Sequence, residues 1–225
     1  MKNILERPDL MALRIEKLYH SATMETKAQG INWYFTANHI ALHIANKFNV
    51  PMTKVCGVIA ALSPATNWVQ NIADAHNLVL AYVNEIDPRE VVVTTYGMNK
   101  LKAIRILTGN SATDTTIGRI LLHKSKVNKT NSFYWNILYP RDEQVTIDRH
   151  AFRIALGDPR ADEICMTEKR YRNLSEAYKI AGRKLGYNAN QIQAITWLSF
   201  RQTLPSEVPA AVHKLDEEIR KQIIS

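Results

Sequence analysis

The sequence predicts an all-α fold, on three observations. Apolar residues recur at helical spacing along most of the chain. The segments that carry this pattern are joined by short polar or proline-marked breaks. Only one strongly β-branched run occurs, Val91 to Tyr96 (VVVTTY), and one isolated strand cannot found a sheet. That run is expected to be an extended link, and short helices joined by short loops imply a helical globule.

The elements follow in order. Residues 7–28 read as a helix with Leu10, Leu13, Ile15 and Leu18 inward. Residues 32–48 place Trp33, Ala37, Ile40, Ala41 and Ile44 on one face. Pro51 precedes Thr53, which can cap an apolar helix through Leu62; Ser63-Pro64 ends it, and a further helix runs from about Asn67 to Asn84. Asp87-Pro88 marks a turn before the extended link. Helices are then expected near 98–108, 114–124, 130–139 and 148–156. After a polar loop with Asp158-Pro159, one helix spans Thr167 to Leu185, closed by Gly186, and another spans 189–203, capped by Asn188. Pro205 and Pro209 introduce a charged segment, 206–225, read as a peripheral C-terminal helix. No internal repeat or long linker divides residues 1–205, which are expected to form one unit.

Composition narrows the function classes. At 225 residues and 46% apolar, the chain is long enough for a buried core but has no run of the roughly 18 apolar residues that spans a membrane. The N-terminus mixes charges every few residues, unlike a signal peptide. Cys56 and Cys165 are far apart and outside any C-x-x-C pattern, which argues against a disulfide scaffold and a cysteine-ligated metal. A soluble, cytoplasmic monomer with no cofactor or metal is therefore expected. The net charge of +8, with a pI near 9.5, favours polyanionic partners, because lysines and arginines release counterions when they neutralise phosphates.

Four stretches could carry chemistry. In VTIDRHAFRIALG, residues 145–157, Asp148 stands where an apolar lead-in meets an apolar helix, followed directly by Arg149 and His150. Asp148 can be a helix cap, or a fixed anion that stabilises a developing cation; backbone N–H groups and the helix dipole stabilise a carboxylate placed there. In residues 122–138, two helices meet at a basic turn around Lys124, Lys126, Asn128, Lys129 and Thr130, which is either a solvated loop or a phosphate contact. In residues 57–71, Asn67, Trp68 and Asn71 open a helix after a sharp turn and could wall a planar ligand, although a tryptophan there can equally be core. His39 and His43 stand four apart on a helix but lack the acidic partner and third ligand of a metal site.

Taken in order, these stretches resemble the helix-hairpin-helix (HhH-GPD) DNA glycosylase superfamily. VTIDRHAFRIALG is similar to that family's V-D-T-H-v-x-R stretch, with Asp148, His150, Phe152 and Arg153 in register. HKSKVNKTNSF lines up with its L-P-G-V-G-x-K-T-A hairpin through Lys129-Thr130. AALSPATNWVQN and MNKLKAIRIL resemble two upstream segments, so the likeness covers roughly residues 50–205. ALSPxxxW and the VTIDRHA stretch also resemble a bacteriophage branch of the superfamily, some members of which are proposed to act on hypermodified bases; the location would then be the host cytoplasm.

The resemblance implies a two-lobed helical fold with the catalytic groove between the lobes, acting on DNA. It implies Asp148 as the catalytic carboxylate and Lys129 as a possible amine nucleophile for a lyase step. Trp33, Tyr34, Asn67, Trp68, Asn71, His150 and Trp197 would line the base pocket, and Lys124, Ser125, Lys126, Asn128, Thr130 and Arg149 would contact DNA. The chain departs from the pattern in three places. Ser125 and Val127 replace the hairpin glycines, no C-terminal cysteine cluster exists to hold an iron–sulfur cluster, and the wedge glutamine is absent around Pro64, Ala65 and Asn67. The expected activity is cleavage of the N-glycosidic bond of a flipped-out base. The alternatives are a base-modifying enzyme on the same fold and a non-catalytic DNA-binding protein.

Overall fold

A computed structural model describes residues 4–110, 112–122, 128–158 and 165–203. Among these the secondary structure is helical throughout: a short 3-10 turn at Ile4–Glu6, then α1 (Pro8–Ser21), α2 (Met24–Phe48), α3 (Met52–Leu62), α4 (Trp68–Val83) and α5 (Gly97–Thr108). These are followed by α6 (Asp114–Leu122), α7 (Lys129–Leu138), α8 (Arg149–Leu156), α9 (Glu168–Leu185) and α10 (Ala189–Thr203). No strand forms among the described residues, and residues 91–96 are an irregular link as expected. The expected C-terminal helix over 206–225 lies outside the described residues. None of the described helices is long and apolar enough to cross a membrane.

The first boundary differs from the expectation. The chain breaks at Ala22–Thr23 rather than near residues 29–31, and α2 runs straight through Gly30. Thr23 caps α2, accepting from the Thr26 amide at 3.1 Å. Gly30 is not a breaker; a Cβ there would lie 2.6 Å from the Cα and 2.7 Å from the backbone N of Ile195. Glycine is required because two backbones approach closely, not because the chain turns.

The described residues divide into two compact units. The first contains α1, α2 as far as Thr36, and α7 to α10. Helices α1, α8, α9 and α10 pack on one another around Met11, Ile15, Phe152, Leu174, Tyr178, Ile192 and Ile195. Each such side chain, fully buried, contributes about 1.5–3 kcal/mol. In α8, every residue from Ala151 to Leu156 except Arg153 is buried, giving a short but strongly one-sided helix. Gly157, at φ +61°, closes α8 in the left-handed conformation, and Arg14 of α1 donates to the Leu156 carbonyl that the helix leaves without an internal partner.

The second unit contains α2 from Ala37, with α3 to α6. Every residue of α3 from Lys54 to Leu62 is buried, and α4, α5 and α6 pack against it. A helix that is apolar on all sides belongs in the middle of such a unit. Its one charge, Lys54, donates to the carbonyls of Leu107 at 2.7 Å and Gly109 at 2.8 Å. The ammonium thereby satisfies the end of α5 and neutralises its negative dipole. The turn before α4 places Ala65 at φ +61°, and Thr95 fixes it by donating to the Pro64 carbonyl at 2.7 Å.

Candidate functional site at Asp148

Asp148 is positioned by three helices of the first unit. The buried extended segment Val145–Ile147 leads into it. Tyr171 of α9 holds that segment: its hydroxyl accepts from the Ile147 amide at 3.2 Å and lies 2.8 Å from the Val145 carbonyl and 2.9 Å from Ser132 Oγ. Asn136 of α7 donates to Thr146 Oγ1 at 2.9 Å. Tyr178, seven residues after Tyr171 and so on the same face of α9, donates to the Ala151 carbonyl at 3.1 Å. Burial pushes the Tyr171 phenol up to about 12 and raises the Tyr178 phenol still further, so both remain neutral donors.

The carboxylate itself has two fixed partners. Oδ1 accepts from the Ala151 amide at 2.8 Å, capping α8. Oδ2 accepts from the indole Nε1 of Trp197, on α10, at 3.0 Å. A carboxylate offers about four acceptor directions, so half of its capacity is spent and half remains. Asp148 is half-buried.

Aromatic rings cluster around the Trp197 indole. Trp197 stands edge-on to Trp33, centroids 6.4 Å apart, and Trp33 lies 6.0 Å from Phe133. The guanidinium of Arg201 sits over the Trp197 ring at 4.8 Å. His150 is 6.4 Å from Trp197 and 5.7 Å from Phe200, and its Nδ1 is buried without a hydrogen-bond partner. Burial lowers the His150 pKa; Asp148 opposes this, and Arg149, Arg153 and Arg201 add to it. The imidazole is therefore neutral at pH 7.

The other residues singled out in the sequence fall in several places. Tyr34 is buried, and its hydroxyl donates to Gln193 Oε1 at 2.8 Å, so it is a core support beneath Trp33 rather than an open wall. Burial raises its phenol pKa, against the hydrogen bonds from Thr146 and Asn136. Asn128 caps α7, accepting from the Asn131 amide at 2.8 Å, with Lys129 and Thr130 half-buried in the first turn. The described contacts do not join Lys129 to Asp148. Arg149 is exposed at the start of α8. Lys124, Ser125 and Lys126 lie outside the described residues. Asn67, Trp68 and Asn71 belong to the second unit: Asn67 caps α4 by accepting from Gln70 at 2.9 Å, and Asn71 is buried with Oδ1 unpartnered.

Phe133, Phe200, Arg201, Tyr171 and Asn136 were not anticipated. Phe200 and Arg201 stand three and four residues after Trp197, a spacing that puts them on its face of α10 and could have pointed to them. Tyr171 and Asn136 carry no such signal. Among the described residues, no group of three or more His, Cys, Asp or Glu side chains could hold a metal ion.

The arrangement is a half-buried anion with fixed orientation, a neutral imidazole and a wall of aromatic rings. Such a constellation can stabilise positive charge on a ligand held against the rings. No curated protein and no solved structure matches the chain. Residues 3–204 match the model of a family of unknown function, DUF7178, and the chain belongs to that family.

Proposed function

We propose that the protein is a DNA N-glycosylase of the helix-hairpin-helix type, acting as a monomer on a flipped-out damaged or modified base. The observation that carries this reading is Asp148, held by the Ala151 amide and the Trp197 indole beside Trp33 and His150. Extruding a nucleotide costs a few kcal/mol, which stacking on aromatic rings offsets. As the bond between C1′ and the base nitrogen breaks, the base leaves with the electron pair and the sugar gains oxocarbenium character. A carboxylate that needs no reorganisation stabilises that charge, or takes a proton from the water that attacks C1′. Lys129 could instead attack C1′ and form a Schiff base, which would add strand cleavage. The net charge of +8 supports a DNA partner.

One observation favours a second reading. The Trp197 bond ties α8 to α10, so Asp148 could serve as a structural clasp in a protein that binds DNA without cutting it. Product analysis separates the readings on DNA carrying candidate bases. An abasic site supports the glycosylase, an unchanged DNA supports binding alone, and a mass shift on an intact nucleoside supports base modification.

A further inference from the structure

A groove of about 720 Å³ opens in the second unit between α5 and α6. Lys102 and Arg105 of α5 and Arg119 of α6 line it, over Met98, Leu101 and Ile120. No carboxylate among the described residues pairs with any of these three cations. The sequence of α5 holds no acidic residue, and that of α6 holds only Asp114. Met98 and Leu101 are 62% and 54% exposed, so the groove is an open apolar floor with cationic rims rather than a closed cavity. Burial lowers the Lys102 pKa, which reflects a partly desolvated amine that an anion would compensate. The carbonyls at the end of α5 would repel such an anion, but Lys54 covers those of Leu107 and Gly109.

We propose that this groove is a binding site for the phosphodiester backbone of a nucleic-acid strand. Unpaired arginines and a lysine offer phosphate oxygens charge-assisted hydrogen bonds at little desolvation cost, and the apolar floor accepts sugar and base faces. The phosphate chemistry stands on the groove itself; the choice of a nucleic-acid strand over another phosphate ligand rests on the glycosylase reading. The site lies on helices that contribute nothing to the Asp148 constellation, so it sets affinity and leaves bond cleavage to that constellation.

The test is fluorescence anisotropy of a labelled 15-nucleotide DNA, single- and double-stranded, with the full chain across a salt series. The pair Arg105→Gln and Arg119→Gln is compared with Lys17→Gln and Arg172→Gln; all four residues are exposed, so both pairs remove two surface charges without touching the core. The groove pair is expected to lose about ten-fold in affinity and to flatten the slope of log K against log salt by about 1.5, as for two lost phosphate contacts. The control pair should change neither by more than about two-fold. Equal losses in both pairs, or none in the groove pair, would overturn the proposal, as would thymidine monophosphate occupying the groove while the oligonucleotide ignores its cations. Binding is read here without base release. A groove that binds DNA in a protein that releases no base sinks only the glycosylase reading, and DNA affinity unaffected by the groove pair in a protein that does release base sinks only the groove.

Discussion

Trp197 Nε1 donates to Asp148 Oδ2 at 3.0 Å, so the carboxylate that starts α8 is also the point at which α10 is fastened to it. The two residues should therefore be coupled energetically. Asp148→Ala removes a helix cap, costing about 0.5–2 kcal/mol, and leaves the indole N–H without its acceptor. Trp197→Phe keeps most of the ring but loses the donor. A double-mutant cycle by urea unfolding is expected to give a coupling of about 1 kcal/mol or more; additive losses would show that the bond contributes nothing.

Gly30 makes a sharper steric prediction. In Gly30→Ala the new methyl would meet the backbone of Ile195 at 2.6–2.7 Å, and backbone cannot rotate away. Separation of α2 from α10 should cost about 2–3 kcal/mol, lowering Tm by roughly 5–10 °C in a chain of this size. An unchanged Tm would mean that the close approach is absent in solution.

The first half of the chain shows how far sequence reasoning reaches. Boundaries from α3 to α10 were legible to within a residue or two because periodicity and caps such as Asn67, Asp148 and Thr167 agree. The break implied between residues 28 and 32 is absent, because Gly30, kept for close packing on Ile195, looks in one dimension like a glycine kept for a turn. Asp148 was legible as a cap for the same local reason. Its second partner was not: Trp197 is 49 residues away, and a tertiary hydrogen bond leaves no mark on spacing. Arg201 stacking on Trp197 was legible only as a spacing of four residues on α10, which places the guanidinium beside the ring without marking that ring as part of a site.

His150 makes stability depend on pH. Burial lowers its pKa below the ordinary 6.5, so the unfolded chain takes up this proton before the folded one does. The unfolded state then binds more protons below pH 6.5, and stability falls as pH drops through that value. Thermal melts between pH 7.5 and 5 should show a decline that is shallower in His150→Gln. An identical decline in both proteins would assign the effect elsewhere, for example to His76, whose pKa burial also lowers.

Lys54→Met tests the second unit by itself. The substitution keeps the aliphatic stem but leaves the Leu107 and Gly109 carbonyls without their donor. Each orphaned buried carbonyl costs about 1–3 kcal/mol, so a loss of about 2–4 kcal/mol is expected in denaturant unfolding. A gain in stability would mean that desolvating the ammonium outweighs the bonds it makes.

The central claim is that the carboxylate of Asp148 does chemistry on DNA. Wild-type protein and Asp148→Asn, which retains a capping side chain, should be incubated with DNAs carrying uracil, hydroxymethyluracil, alkylated, oxidised or glycosylated bases, with free base and abasic sites measured by mass spectrometry. The account predicts that the wild type releases at least one of these bases. It also predicts that Asp148→Asn binds the same DNA comparably while releasing at least 100-fold less. Equal release by the two proteins, or intact DNA from the wild type on every substrate, would contradict it.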